Sequence, residues 1–204
     1  HSDALTIAKW AKVPFVNGLT DLEHPCQALA DVMTIRERKG RLEGLELCFI
    51  GDAENNVCHS IMLAGAALGM NVRIACPNEY EPDKSILEKT RALCAKKGTS
   101  VLVTDDPAKA VNGADVVYTD VWVSMGDEES EKQRIKDLTP FQVNKKLMQL
   151  AKKDAIFLHD LPVHRGFEVT DEIIDGKQSA TWDEAENRMH AQKALLVALM
   201  GGIK

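Results

Sequence analysis

Short apolar runs that alternate with helical patterns dominate this sequence. The runs with the character of buried strands lie at residues 45–50, 71–76, 100–104, 114–119 and 155–158. Strands that alternate with helices at this spacing form βαβ units and a mainly parallel sheet that is covered on both faces. The pattern therefore predicts an α/β fold: a doubly wound, mainly parallel five-stranded sheet of Rossmann-like type, with helices on both faces.

Helices are predicted where apolar residues recur every three or four positions between capping or stop residues. These segments are residues 4–11, 28–39, 57–68, 84–97, 106–111, 139–152, 171–175 and 189–200. Two other segments are less regular. Residues 13–16 predict a brief strand, although Pro14 interrupts it, and residues 182–188 predict a loop before the last helix.

Composition limits the possible classes of protein. The 204 residues are 45% hydrophobic and carry a formal net charge of −6. That is enough apolar sequence for the core of one large domain. An acidic chain lacks the basic stripe of a nucleic-acid-binding protein, and no apolar run reaches the roughly 18 residues of a membrane span. We therefore expect neither a nucleic acid nor a membrane as partner.

Cysteine usage indicates the compartment. The five cysteines are odd in number, lack the C-x-x-C spacing of a metal site and in several cases fall in apolar runs. We expect them to be free, buried thiols in a reducing cytoplasm. We expect no metal site.

The turn after residues 45–50 argues against a dinucleotide site. It lacks the G-x-G-x-x-G motif, and the carboxylates of Asp52 and Glu54 would repel a pyrophosphate there. Asn55 and Asn56 suit a neutral or zwitterionic ligand better, although asparagines at a helix start also serve as caps. The sequence alone leaves both interpretations open.

Polar groups at two other element ends are candidates for binding. Asp120 follows the predicted strand at 114–119 and could either pair with an ammonium group or cap a turn, and Ser124 could bind a carboxylate. His24 and Gln27 lie one turn apart at a predicted helix N-terminus, which favours an oxygen anion or a polarised carbonyl group.

The C-terminal part of the chain offers two further candidates. The apolar run at 155–158 ends in His-Asp-Leu-Pro at residues 159–162, and open α/β sheets place ligand groups at the carboxyl ends of their strands. Arg188 is a candidate cation, although a salt bridge with Glu184 or Glu186 would also explain it.

In chain order, these segments resemble the second half of the ornithine carbamoyltransferases, within the aspartate/ornithine carbamoyltransferase superfamily. The matching segments are His-Pro-Cys-Gln at 24–27, Gly-Asp-x-x-Asn-Asn at 51–56, Asp-Val-Trp-Val-Ser-Met-Gly at 120–126, His-x-Leu-Pro at 159–162 and Glu-Ala-Glu-Asn-Arg at 184–188. The resemblance covers nearly the whole chain, and the Ser-Met-Gly loop is its most discriminating motif. It implies transfer of a carbamoyl group from carbamoyl phosphate to the δ-amine of L-ornithine, giving L-citrulline and phosphate. It also implies a trimer-based homo-oligomer and no metal or organic cofactor.

The resemblance implies roles for residues at the carbamoyl phosphate site. His24 and Arg188 would hydrogen-bond the carbonyl oxygen of carbamoyl phosphate. Gln27 would hold its amino group, together with the backbone carbonyl of Leu161. Polarising the carbonyl and stabilising the oxyanion would make His24 and Arg188 catalytic.

The resemblance also implies an ornithine site. Its residues would be Asn56, Asp120, Ser124, Met125, Asp160 and Leu161. Asp120 would pair with the α-ammonium group, whereas Asp160 and Leu161 would face the attacking δ-amine. Asp160 is therefore the third predicted catalytic residue.

Two departures from the family pattern modify these expectations. Asp160 stands where the family carries cysteine, and a carboxylate there would hold the amine as ammonium; we expect weaker catalysis near neutral pH or a changed amine substrate. The family's Ser-Thr-Arg-Thr-Arg phosphate segment does not occur in this sequence, which begins at His1 in a helical pattern. We expect residues 1–204 to be the ornithine-binding domain, with the N-terminal carbamoyl-phosphate domain absent, and the chain alone to be inactive.

Two alternatives stay open. A related carbamoyltransferase could act on another amine such as putrescine, although Asn56, Asp120 and the Ser-Met-Gly loop favour an α-amino acid. A non-catalytic domain that binds an amino acid or assembles subunits would fit Asp160 and the absent phosphate segment.

Overall fold

A parallel sheet forms the centre of the molecule in the computed structural model, which describes residues 1–123 and 131–201. Its strands are β1 (Glu46–Ile50), β2 (Asn71–Ala75), β3 (Val101–Thr104), β4 (Val116–Tyr118) and β5 (Ile156–Leu158). All neighbouring strands are parallel, and their order is β3-β2-β1-β4-β5. The chain therefore adds β2 and β3 on one side of β1 and later adds β4 and β5 on its other side. This topology confirms the predicted doubly wound sheet.

Helices connect and cover the strands. They are α1 (Ser2–Trp10), α2 (Pro25–Lys39), α3 (Asn56–Ala67), α4 (Lys84–Lys97), α5 (Pro107–Val111), α6 (Glu131–Leu138), α7 (Lys145–Met148), α8 (Asp171–Ile174) and α9 (Thr181–Leu199). Within the described ranges, no helix combines the length and the apolar character that a membrane crossing requires.

The sheet is buried on both faces, as predicted. Leu47 and Phe49 of β1 lie in a core cluster with side chains of α2, α3 and α4. Cys48 and Ile50 of the same strand lie in a second cluster with side chains of α5, α7 and α8. Because successive side chains of a strand point to opposite faces, a short and wholly apolar strand supplies both clusters.

Two predicted elements are wrong. Residues 13–16 form no strand, and Val13 is 72% exposed. The predicted helix at 139–152 is divided into a 3₁₀ turn and α7. The division falls at Val143, whose N–H and C=O pair with the backbone of Glu168 and Thr170 at 2.8 and 3.1 Å. Asn144 then starts α7 as its cap.

The predicted loop at 182–188 is also wrong, because these residues form the first half of α9. Its buried residues are Thr181, Glu184 and Asn187, spaced three apart along the helix. This face packs against α2, where Asn187 Nδ2 donates to Thr34 Oγ1 at 2.9 Å. The buried side of the helix is polar, so the apolar periodicity that predicts a helix is missing.

Candidate active site at the carboxyl edge of the sheet

A cavity of about 770 Å³ lies at the carboxyl ends of the strands. Six of the residues singled out in the sequence line it: His24, Asn56, Asp120, Asp160, Leu161 and Arg188. The order of the strands reverses between β1 and β4, and the turns after both strands reach this cavity. Open α/β sheets bind ligands in the crevice at such a point.

Of the three other predicted site residues, one lies off the cavity wall and two lie outside the described residues. Gln27 is 1% exposed and lies behind Arg188 rather than on the cavity surface. Ser124 and Met125 lie outside the described residues.

One end of the cavity is formed by the start of α2. His24 is the N-cap residue and Pro25 occupies the first turn, where its missing N–H costs nothing. The backbone N–H of His24 donates to Ser60 Oγ at 2.8 Å, which ties this helix start to α3. Burial, followed by the charge of Arg188, lowers the pKa of the His24 imidazole to about 4. The imidazole is therefore neutral near pH 7.

Arg188 reaches the same end of the cavity from α9. Its Nη1 donates to Gln27 Oε1 and lies 3.5 Å from His24 Nε2. These bonds connect Arg188 to α2 and not to Glu184 or Glu186 of its own helix. A ligand oxygen there would accept from the guanidinium and, in the His24 tautomer that carries its proton on Nε2, from the imidazole as well, an arrangement that stabilises developing negative charge.

The two asparagines in the turn after β1 have different surroundings. Asn55 caps α3, since its Oδ1 accepts from Cys58 N at 2.7 Å, and its Nδ2 donates to Asp120 Oδ2 at 3.1 Å. Asn56 lines the cavity and donates to the backbone oxygen of Thr20 at 2.6 Å. Asn55 thus joins the turns after β1 and β4, a contact that the sequence did not predict.

Gly51 allows these two turns to approach closely. Its φ is +123°, and a Cβ atom there would lie 3.4 Å from Thr119 Oγ1 and from Trp122 Nε1. Thr119 Oγ1 in turn donates to the backbone oxygen of Ile50 at 2.7 Å. A larger residue at position 51 would strain the backbone and crowd the turns that hold Asn55 and Asp120.

Asp120 and Asp160 lie side by side on the wall of the same cavity, with one oxygen of each carboxyl group within 4.8 Å of the other. Burial raises the pKa of Asp160 well above its usual range, and the neighbouring Asp120 carboxyl raises it further. Burial also raises the pKa of Asp120. Two carboxyl groups this close share a proton because both cannot easily be ionised. The pair therefore keeps a proton to a higher pH than free carboxyl groups would.

His159 holds the loop that carries Asp160. Its Nδ1 accepts from Leu161 N at 3.0 Å, and its Nε2 donates to Glu168 Oε1 at 3.2 Å. Leu161 has a φ of 60°, a left-handed conformation that is rare for leucine. Such conformations cluster at functional sites, where surrounding contacts enforce them.

Asp120, His159 and Asp160 also form a group whose spacing could suit a metal ion. The Nδ1 lone pair of His159 is already used by the N–H of Leu161. The group therefore offers two carboxyl groups without an open nitrogen ligand, which is a poor fit for a transition metal.

Asp52 and Arg134 are site residues that sequence reasoning missed. They form a buried ion pair at the cavity wall, and Arg134 Nε donates to the Trp122 backbone oxygen at 2.9 Å. The guanidinium also lies 4.9 Å from the ring centre of Tyr80. Arg134 belongs to a charged run that resembles a solvated surface, and no local pattern distinguishes it from the neighbouring charges.

The fold and the cavity together define a class: an open α/β domain with a polar small-molecule site at the switch point of its sheet. Comparison with known families is more specific. Residues 43–199 match the aspartate/ornithine carbamoyltransferase Asp/Orn binding domain, and residues 1–37 match the carbamoyl-P binding domain of the same family. The chain belongs to the aspartate/ornithine carbamoyltransferase family, which confirms the resemblance found in the sequence.

Individual relatives agree with this assignment. The chain is 54% identical over its full length to an ornithine carbamoyltransferase of Pyrococcus horikoshii and covers 64% of that protein. It is 55% identical to one from Methanothermobacter thermautotrophicus, with 100% of this chain and 67% of that protein covered. The solved ornithine carbamoyltransferase of Pyrococcus furiosus superposes with a TM-score of 0.95 at 53% identity, over 100% of this chain and 65% of that one.

Proposed function

We propose that this chain comprises the ornithine-binding domain, together with the residues 1–37 that match the carbamoyl-P binding domain, of an enzyme that transfers a carbamoyl group from carbamoyl phosphate to the δ-amine of L-ornithine. The products are L-citrulline and phosphate. The observation that carries the proposal is the convergence of the His24 imidazole, the Arg188 guanidinium and the Asp120–Asp160 carboxyl pair on one cavity. The names of the relatives support the same reaction.

The end of the cavity at His24 and Arg188, hereafter the donor end, binds and polarises carbamoyl phosphate in this scheme. Both groups donate to the carbonyl oxygen, and Gln27 holds the amino group from behind, with the backbone carbonyl of Leu161. The δ-nitrogen attacks the carbonyl carbon, the bond from that carbon to the phosphate oxygen breaks, and the amine loses one proton. Donors already in place for the tetrahedral oxyanion lower the barrier.

The part of the cavity around Asp120 and Asp160, hereafter the acceptor end, binds ornithine in this scheme. Asp120 takes the α-ammonium group, and Asn56 with Ser124 and Met125 holds the amino-acid end. Asp160 and Leu161 face the δ-amine. The shared proton of the carboxyl pair limits the negative charge there, which favours the uncharged amine that the reaction needs.

The proposal also covers the rest of the protein, its oligomeric state, its cofactors and its compartment. The chain spans about 64% of the length of the first relatives, so we propose that the phosphate-binding segment belongs to further sequence and that the active protein is a trimer-based homo-oligomer. No metal or organic cofactor takes part. Five buried, free cysteines suit a reducing cytoplasm.

Measurement of citrulline formation tests the proposal. The full-length protein should form citrulline from carbamoyl phosphate and ornithine, and the isolated chain should not, because it lacks the phosphate-binding segment. Robust turnover by the isolated chain would refute the proposal that the phosphate-binding segment belongs to further sequence. No turnover by the full-length protein, with ornithine still bound, would favour a non-catalytic amino-acid-binding domain.

A second candidate is carbamoyl transfer to another amine, such as putrescine. The observation that favours it is Asp160, a second carboxyl group beside Asp120 that could bind a second ammonium group. Calorimetric titration with ornithine and with putrescine separates the two candidates. Tighter binding of putrescine would replace ornithine as the proposed substrate.

A further inference from the structure

Asp31 of α2 and Glu184 of α9 are two buried carboxyl groups that the proposed reaction does not use. Both are fully buried. Burial raises the pKa of Asp31 well above its usual range, with Glu184 adding to the effect, and burial also raises the pKa of Glu184. Buried carboxyl groups are costly unless hydrogen bonds satisfy them, so their contacts indicate what they do.

Both carboxyl groups bind the same side chain, Gln27. Gln27 Nε2 donates to Asp31 Oδ1 at 2.8 Å and to Glu184 Oε1 at 3.2 Å, which uses both of its amide hydrogens. Gln27 Oε1 then faces Arg188 Nη1, from which it accepts a hydrogen bond. A reversed amide would set its NH₂ against the guanidinium and its oxygen against two carboxyl groups. The pair therefore fixes the orientation of Gln27.

Glu184 also holds the loop at the acceptor end. Its Oε2 accepts from the backbone N–H of His159 at 2.9 Å. His159 begins the segment that continues with Asp160 and Leu161. One buried side chain thus connects the amide at the donor end to the loop at the acceptor end.

We propose that Glu184, supported by Asp31, is a positioning residue of the carbamoyl site. It fixes the Gln27 amide so that its oxygen faces Arg188, and through Gln27 it orients Arg188. It also fixes the start of the loop at 159–162. This inference rests on the proposed function and assigns Glu184 no contact with substrate.

Glu184→Gln in the full-length protein is the main test. The new amide keeps the shape of the side chain but offers one oxygen where two N–H donors need acceptors. We expect KM for carbamoyl phosphate to rise about tenfold, the size of losing one hydrogen bond to a charged group. Because Glu184 also accepts from the N–H of His159, which precedes the acceptor-end loop, KM for ornithine should rise as well, but less than about threefold. Glu186→Gln is the matched control: the same change on the same helix, at a residue whose partner is His190. It should leave both constants unchanged.

A double-mutant cycle shows whether Glu184 acts through Gln27. In a Gln27→Ala background, Glu184→Gln should change KM for carbamoyl phosphate less than twofold, because the orientation that Glu184 fixes no longer exists. If Glu184→Gln does not fold, Asp31→Asn is the milder variant, with an expected rise of about threefold in the same constant. Equal effects on both KM values, or none in the folded variants, overturn the proposal.

Failure of the proposed function has a different signature. Wild-type protein that forms no citrulline refutes the reaction itself. The positioning role is then judged from crystal structures of the wild-type and Glu184→Gln proteins. Displacement of the Gln27 side chain or of residues 159–162 supports the role, and an unchanged arrangement overturns it.

Discussion

The donor end and the acceptor end of the cavity are built in different ways. At the donor end, His24 caps α2 and Arg188 stands on α9. Gln27, which accepts from Arg188, and Glu184, which accepts from Gln27, are buried between the same two helices. At the acceptor end, Asp120, Asp160 and Leu161 stand on turns that follow β4 and β5, and Asn56 begins α3. The donor end is therefore held by long packed elements and the acceptor end by loop contacts.

The two ends also differ in their response to pH. The donor end has a permanent guanidinium charge and an imidazole whose pKa is lowered to about 4, so its charge is constant around neutral pH. The acceptor end has the pair Asp120 and Asp160, with burial raising the pKa of both. Of the two ends, the acceptor end is therefore the one whose charge responds to pH, and Asp52 at the cavity wall, whose pKa burial raises to about 7, also titrates near neutral pH.

Loss of the guanidinium at the donor end should have the largest effect. Arg188→Met removes a preorganised donor to the oxyanion, and removal of one such donor typically costs about 10²- to 10³-fold in kcat. We expect a loss of that size in citrulline formation by the full-length protein. Arg165→Met is the control, because Arg165 forms exposed ion pairs with Asp171 and Asp175 away from the cavity. Similar losses in both variants would contradict the role of Arg188.

Removal of the charge at Asp120 should have the next largest effect and should be confined to the acceptor end. In Asp120→Asn, we expect KM for ornithine to rise roughly 10- to 150-fold, since a buried charge-assisted hydrogen bond contributes roughly 1.5–3 kcal/mol. KM for carbamoyl phosphate should change less than twofold. Steady-state kinetics with each substrate varied in turn measures both constants. A comparable rise in both would mean that the two ends are not independent.

The sheet and most of the acceptor end could be predicted from the sequence because the signals are local. An apolar run followed by a polar tip identifies a strand and its carboxyl end, and parallel strands bring such tips together at one edge. Asp120 and Asp160 were found in this way, whereas Asn56 was assigned to the site only by the family resemblance. The link from Asn55 to Asp120 was not, because its two partners are far apart in the chain.

The donor end was less predictable because its supporting contacts are buried and polar. The first half of α9 has no apolar stripe, so a loop was predicted where Glu184 and Arg188 stand on a helix. Pairing with Gln27 on α2 explains this pattern, and that contact joins residues more than 150 positions apart. Periodicity methods detect apolar faces and do not detect a polar face that is buried by its partner.

The shared proton at the acceptor end can be tested with Asp160→Asn. If Asp160 is protonated at pH 7, the amide changes no charge, and kcat/KM for ornithine should stay within about threefold of wild type. As the pH rises through its raised pKa, Asp160 ionises in the wild type and holds the amine as ammonium. The ratio of variant to wild-type kcat/KM should therefore rise roughly tenfold on the alkaline side.

Two further measurements on this pair sharpen the result. A pKa raised on folding adds stability that is complete below the unfolded value and is lost as the pH rises through the folded value. The melting temperature of the wild type should thus fall relative to Asp160→Asn with rising pH. Asp160→Cys restores the residue typical of the family and should also remove the alkaline decline. Identical pH profiles for all three proteins would refute the shared proton.

The smallest expected effect concerns the donor end and the stability of the protein at acid pH. The pKa of His24 is lowered on folding from 6.5 to about 4, so its contribution to stability is complete above pH 6.5 and is lost as the pH falls through about 4. In His24→Gln, the drop in melting temperature between pH 7 and pH 4 should be smaller than in wild type by roughly 2–4 °C. His190→Gln is the control, since His190 is exposed on α9 and pairs with Glu186. An equal drop in all three proteins would mean that the donor end is not kept neutral by burial, and the contrast between the two ends would be lost.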